Sequence, residues 1–271
     1  MRLCRLPIGF AMVMSAAVVS GGCHPAPAPT SVATMKAEDL PSDPAELAKR
    51  ADELSQAHNR VSLENAMVVC DRILAMKPEP KAAYAANWMG ARAAFYLADE
   101  AEGDNDRRAY FGRRGMGYAD RAIALDGKSV EGLYYRALDR GYLASTKTIG
   151  ALDMVGDIAK DAKAAMAADE KFDHGGPLRV LGALLVKAPG WPTSVGDKEE
   201  GLDDLKKSVE VAPDHPLNRL YYGEALIENG KKPDAVTELE ESLKLVQAPA
   251  WAYMKARVEK EAKEQLEKAR K

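Results

Sequence analysis

Paired helical stretches recur through most of this chain, and they constrain its fold more than any other feature of the sequence. From Asp43 onward, apolar residues keep the spacing that marks one face of a helix, and each pair of stretches ends near a proline or a glycine. No stretch alternates polar and apolar residues for long enough to predict a strand. The predicted helices are 44–57 with 63–76, 81–98 with 107–125, 128–144 with 150–168, 176–187 with 197–211, 217–229 with 232–246, and a final charged helix over about 249–270.

Small residues recur inside these pairs at the spacing of the tetratricopeptide pattern, W-x2-L-G-x2-Y followed by A-x3-F and then P, over about 34 residues. Gly182, Gly201, Gly223 and Ala235 fall on the positions where the two helices of a pair must approach closely. The pattern predicts an all-α fold: a tetratricopeptide-like solenoid of about five helix pairs with a C-terminal capping helix, occupying residues 44–271. The large apolar residues at the matching spacings are Leu178, Leu181, Leu185, Leu205, Leu226 and Leu239.

The first residues have the features of an export signal. Arg2 and Arg5 precede a short apolar run, and small residues then lead to Cys23. This order resembles a lipobox, in which the cysteine is acylated and becomes the mature N-terminus, although Ser20 stands where Leu or Val is usual. We therefore expect residues 1–22 to be a lipoprotein signal peptide and Cys23 to be lipidated; ordinary secretion with an unmodified Cys23 is the alternative.

Residues 23–43 contain four prolines among alanine, serine and threonine, which is typical of an extended tether. At roughly 3 Å per residue, it could hold the helical body up to about 60 Å from a membrane. The expected location is the periplasmic face of a bacterial membrane, with the outer membrane favoured over the inner. Cys70 would have no partner within the lipidated chain, so we expect it to be buried as a small apolar side chain.

The sequence offers little catalytic chemistry. Lysine and arginine are scattered among acidic residues at a net charge of −3, so no basic stripe for nucleic acid is present. The four histidines lack metal-ligand spacing, and no CxxC, G-x-S-x-G or phosphate-loop motif occurs. Gly112, Gly115 and Gly117 do not follow a strand, so close helix packing explains them better than a dinucleotide site. We expect no enzymatic activity, metal or cofactor.

Four residues are candidates for contact with a ligand or a partner. Arg179 follows Gly175, Gly176 and Pro177 near a predicted helix N-terminus, where it could complete a carboxylate site. The alternative is a salt bridge to a nearby acidic residue: Asp169, Glu170 or Asp173.

The other three candidates are aromatic. Tyr134 and Tyr135 are adjacent on one helix and point to different faces, so one of them could line a concave surface or a channel. The alternative is that both pack between helices. Trp191 lies in the loop of residues 188–196, which interrupts the fourth repeat. It could close one end of a groove, or it could simply anchor the loop by packing.

The segment of residues 130–216 resembles a specific family. It contains EGLYYRALDRG, then MAADEKFDHGGPLRVLGALLVKAPGWPTSVGD, and then GLDDLKKSVEVAPDHPLNRLYYGEAL. This order is similar to that of the T-components of TRAP transporters, which are periplasmic lipoproteins built from tetratricopeptide-like helices. The resemblance implies a scaffold that associates with the substrate-binding subunit of a transporter. A protein that binds a small hydrophobic or carboxylate ligand in a pocket or channel is the alternative, and the oligomeric state is left open.

The lipidation hypothesis predicts where the exported protein is found. Because the acyl chains would be its attachment to the membrane, Cys23→Ala should move the protein from the membrane fraction to the soluble fraction. Fractionation of cells expressing the two forms measures this. Wild-type protein that is fully soluble after export would contradict the hypothesis.

Overall fold

The structure is a computed structural model and describes residues 28–147 and 149–271. The predicted signal peptide and Cys23 lie outside the described residues. The described chain divides into two compact units, the first ending at Met154 and the second running from Val155 to Lys271. Both units are helical, which confirms the predicted all-α fold; within the described residues, the only β-type pairing is an isolated bridge between Gly190 and Gly196.

The first unit contains five α-helices, and each packs against the next along the chain. The first helix begins as the sequence predicts, because Asp43 accepts a hydrogen bond from the Ala45 amide and Pro44 is the first helical residue. The third helix also packs on the fifth, so the third helix is the central helix of the unit. The helices are α1 (Pro44–Gln56), α2 (Arg60–Ala75), α3 (Pro80–Glu100), α4 (Asn105–Leu125) and α5 (Val130–Ser145).

The second unit contains six α-helices with the same order of packing. The last helix buries one face against the two helices before it, as a terminal cap must. The helices predicted at 128–144 and 150–168 belong to different units: the first packs on the helices before it in the first unit, and the second packs on the helix that follows it in the second unit. The helices are α6 (Val155–Ala168), α7 (Phe172–Lys187), α8 (Lys198–Val211), α9 (Pro216–Glu228), α10 (Lys232–Leu245) and α11 (Lys255–Ala269).

The small residues of the repeat lie where paired helices touch. A Cβ atom on Gly182 would lie 2.7 Å from the Gly201 carbonyl oxygen and 2.7 Å from Leu205 Cγ. A Cβ atom on Gly223 would lie 2.8 Å from Leu239 Cγ, and Ala235 is fully buried opposite it. Each glycine therefore provides the space that its partner helix occupies.

The predicted tether is only partly free. Residues 28–36 form no regular secondary structure, and a single 3-10 turn covers Ala37–Asp39. However, Leu40 belongs to a buried core cluster, and Met35 packs against the same cluster. The structure therefore differs from the expected free tether over residues 30–40, because this stretch is docked on the first unit.

Within the described residues, no helix is long and apolar enough to cross a membrane. Cys70 is fully buried in the core cluster, as the sequence predicts, and burial raises the pKa of its thiol to about 12. The thiol is therefore protonated and inert at physiological pH.

The helix contact at Gly182 predicts a sharp difference between two glycine substitutions. Gly182→Ala should lower the free energy of unfolding by about 1–3 kcal/mol, because its Cβ would meet the backbone of α8. Gly156→Ala is the matched control: it also lies in a helix of the second unit, and a Cβ there would meet no atom within 4 Å. Denaturant unfolding measures both; equal stability of the two variants would contradict the packing described.

Candidate functional site

Tyr134 and Tyr135 are core residues of the first unit, with 2% and 4% of their surfaces exposed. The Tyr135 ring stacks on Trp88 at 6.5 Å and lies 6.1 Å from Phe95, and both partners are on α3. The structure thus places both tyrosines between helices. This differs from the expectation that one of them lines an open surface; their aromatic contacts hold α5 against α3 instead.

Arg179 in the second unit forms hydrogen bonds with side chains of its own chain. Its Nη1 donates to Asn218 Oδ1 at 2.7 Å, and its Nη2 donates to Asp173 Oδ2 at 3.0 Å. Asn218 in turn donates to the His174 carbonyl oxygen, which holds the left-handed turn at the start of α7. The salt-bridge alternative therefore describes Arg179 better than a carboxylate site, because its guanidinium fixes the N-terminal turn of its own helix.

An aromatic cluster around the buried His215 lies beside this arginine. The His215 ring is 5.1 Å from His174 and 4.6 Å from Trp251. Burial is the main cause that lowers the pKa of His215 to about 2, and the nearby Arg179, His174 and Arg257 add to the effect. The imidazole is therefore neutral at physiological pH, and the cluster serves packing rather than proton transfer. Among the described residues, no group of three or more histidine, cysteine or acidic side chains could hold a metal ion.

Trp191 is not the packed anchor that the sequence suggests, because 89% of its surface is exposed. The loop is held by its backbone instead: the Gly196 amide donates to the Pro189 carbonyl at 2.9 Å, and the Asp197 amide donates to the Leu185 carbonyl at 3.0 Å. A Cβ on Gly196 would lie 2.1 Å from the Ala188 carbonyl oxygen, so the loop closes too tightly for any side chain there. The backbone of the loop is therefore held in place, and the Trp191 side chain is exposed to solvent.

A second feature lies on α2, where the N-terminal segment of residues 30–35 is docked. Asn65 uses both atoms of its amide: Oδ1 accepts from the Thr34 amide at 2.8 Å and from the Met35 amide at 3.0 Å, while Nδ2 donates to Thr34 Oγ1 at 3.0 Å. Glu64 Oε2 accepts from Ser31 Oγ at 2.7 Å and from the Val32 amide at 2.6 Å. Side chains of a helix thus bind the backbone of a segment that has no regular secondary structure.

Arg60 completes this arrangement. Its Nε donates to Glu64 Oε1 at 2.9 Å, and its Nη2 donates to the Thr30 carbonyl at 2.8 Å. Burial alone would raise the pKa of Glu64, but the hydrogen bonds from Ser31, the Val32 amide and Arg60 outweigh it, so the pKa is lowered. Glu64 is therefore ionised at neutral pH, which is the form that these donors require.

A cavity of about 70 Å³ continues from the docked segment along α2. Residues of α2, α4 and the docked segment line it. Its lining includes Pro29 and Ser31 of the segment, Met67 and Asp71 of α2, and Tyr110 and Arg114 of α4.

Sequence reasoning missed Glu64 and Asn65. The available signal was their position: both are polar residues inside a helix, directly beside the core residues Leu63 and Ala66. Asparagine is a poor helix former, so a buried asparagine at such a position indicates a hydrogen-bonding role. The partner segment could not be inferred, because it lies about 30 residues earlier and shows no pairing pattern.

The fold is similar to that of known tetratricopeptide-repeat proteins. The crystal structure of a thermophilic TPR protein from Thermus thermophilus matches 83% of this chain and 99% of its own, with a TM-score of 0.61 and 12% identity. Yeast Tom70 matches 86% of this chain and 57% of its own, with a TM-score of 0.33 and 15% identity. No protein-family model matches the sequence, and the search of curated proteins gives no match. The first similarity supports the tetratricopeptide-like fold, and that fold commonly provides surfaces for protein partners.

The lowered pKa of Glu64 predicts how docking of the segment depends on pH. Ionised Glu64 stabilises the docked state, so this contribution is complete above the ordinary pKa of 4.5 and is lost as the pH falls through the lowered pKa. The NMR signal of the Val32 amide should therefore be constant above pH 4.5 and shift only below it. In Glu64→Gln this titration should disappear. A wild-type midpoint at or above pH 4.5 would contradict the described contacts.

Proposed function

We propose that this protein is a non-catalytic scaffold, lipid-anchored at Cys23 on the periplasmic face of a bacterial membrane, and that it binds a protein partner. The proposed partner is the substrate-binding subunit of a tripartite transporter, because the sequence of residues 130–216 resembles the T-components of such transporters. The tetratricopeptide-like fold supports the coarser part of this proposal, which is binding of a protein.

One observation supports the proposed contact more than any other: the outward position of Trp191. A tryptophan that is 89% exposed contributes nothing to the core of its own chain, and its loop is held in place by backbone hydrogen bonds. Binding hot spots are enriched in tryptophan, and a side chain on a fixed loop loses little entropy when a partner covers it. The same loop lies within the segment that carries the family resemblance.

The alternative, a small carboxylate ligand in the helical stack, has less support. It relied on Arg179 as the group that would recognise the carboxylate. Because this guanidinium already binds Asp173 and Asn218 and is only 6% exposed, a ligand would have to break two hydrogen bonds to reach it. The exposed loop requires no such exchange, so a protein partner is favoured.

The Trp191 contact can be tested by capture of the purified substrate-binding subunit. Trp191→Ala should weaken capture by roughly 30-fold, which corresponds to the loss of about 2 kcal/mol that defines a binding hot spot. The melting temperature should not change, because the side chain is exposed. Ile149→Ala is the control, since Ile149 is also a highly exposed large apolar residue but lies outside the loop.

The two measurements separate the possible outcomes. Weakened capture by Trp191→Ala, with unchanged melting and normal capture by Ile149→Ala, supports the loop as the contact. Normal capture by both variants would remove Trp191 from the interface. Failure of the wild-type protein to capture the subunit would overturn the proposed partner.

A further inference from the structure

The docked segment on α2 is arranged like a bound peptide. Five hydrogen bonds join Glu64 and Asn65 to residues 31–35, and in three of them a backbone amide of the segment is the donor. We propose that the Glu64–Asn65 surface of α2 is a docking site for a polypeptide segment without regular secondary structure, that residues 30–35 occupy it in cis, and that a matching segment of a protein partner competes with them. This site is separate from the Trp191 loop, so the proposal goes beyond the proposed function.

The recognition chemistry defines the partner segment. Glu64 accepts from the Val32 amide, and Asn65 accepts from the Thr34 and Met35 amides; every residue except proline offers such an N–H group. The two side chains of the segment that take part are the hydroxyl groups of Ser31 and Thr34. A competing segment must therefore carry no proline at the three donor positions and place serine or threonine three residues apart.

The docked segment is held by polar contacts that water can replace. Ser31 and Thr34 are exposed, and Val32 is only partly buried. The apolar anchors, Met35 and Leu40, follow at the end of the segment and stay in the core cluster. Release of residues 30–34 would therefore leave the core intact and expose Glu64 and Asn65 to water, which can satisfy both.

The cavity beside Pro29 gives a competing segment further room. It follows the α2 surface from Glu64 to Asp71 and is bordered by Tyr110 and Arg114 of α4. Pro29 and Ser31 are the residues of the chain's own N-terminal segment that line this space. A partner segment seated on Glu64 and Asn65 could extend along α2 beyond them, toward Asp71.

A labelled synthetic peptide with the sequence of residues 29–36, PTSVATMK, tests the docking site directly by fluorescence anisotropy. The full chain is used, either as wild type or with Val32→Pro and Thr34→Pro, which remove two of the backbone donors that hold the segment in cis. We expect the double variant to bind the peptide at least tenfold more tightly than wild type, because its own segment no longer occupies the site.

Matched variants show whether the contacts described are responsible. Ala33→Pro is the control for the segment, because the Ala33 amide donates only to Ser31 within the segment, so the site should stay occupied. In the double-proline background, Asn65→Ala should abolish peptide binding. Asn87→Ala is its control, since Asn87 is an equally buried asparagine on α3 that pairs with Arg121 and does not contact the segment.

The peptide itself supplies the last comparison. A version in which the residues matching Ser31 and Thr34 are changed to alanine and valine should bind the double variant at least threefold more weakly, because both hydroxyl contacts are lost. If the folded double variant does not bind the parent peptide, residues 30–35 are a permanent strap and the proposal is overturned. Equal binding by wild type and the double variant would place the peptide elsewhere and would also overturn it. Neither result depends on the transporter partner.

Discussion

The close approach of neighbouring helices at glycine is the contact on which both units depend. In the second unit, Gly182 and Gly201 face each other across α7 and α8, and a Cβ atom on either would lie 2.7 Å from the carbonyl oxygen of the other. In the first unit, a Cβ on Gly90 would lie 2.9 Å from the ring of Tyr118. These distances are too short for any side chain, so each glycine sets the separation of a helix pair. The aromatic and aliphatic residues around them then fill the flanking layers.

The same close packing perturbs the pKa of buried polar groups in both units. Asp139 on α5 is fully buried against Gly115 of α4, and its carboxyl oxygens have no hydrogen-bond partner among the described residues. Burial raises the pKa of this carboxyl well above its ordinary value, so it is kept protonated. His215 is kept neutral in the second unit for the same reason. The perturbed pKa values of Asp139 and His215 therefore follow from burial between packed helices, whereas the pKa of Glu64 is set by its hydrogen bonds to the docked segment and to Arg60.

The sequence predicts local structure well and long-range polar contacts poorly. The observed helices begin and end within a few residues of most predicted bounds, because proline, capping and apolar spacing act locally; the exceptions are the starts of α6 and α11 and the kinked start of α7. The positions of Gly182 and Gly223 could also be inferred, since the repeat spacing reflects the packing of neighbouring helices. Other features depend on which distant residues meet each side chain. These are the burial of Tyr134 and Tyr135, the exposure of Trp191 and the hydrogen bonds of Arg179. The docking of residues 30–35 on α2 is also a long-range contact, and a segment without regular secondary structure has no periodicity that reveals its partner.

The docked segment connects the two proposals through the length of the tether. With Cys23 lipidated as we propose, only about seven residues separate the anchor from Thr30 while the segment is docked, which allows a reach of roughly 20 Å at about 3 Å per residue. Release of residues 30–34, with Met35 and Leu40 still in the core cluster, would lengthen the free tether to about 12 residues, or roughly 36 Å. A partner segment that displaces residues 30–34 would therefore change the distance that the helical body can reach from the membrane without any rearrangement of its helices. Occupation of the α2 surface and the reach of the scaffold are thus linked by chain connectivity alone, because the same residues cannot bind α2 and extend the tether at once.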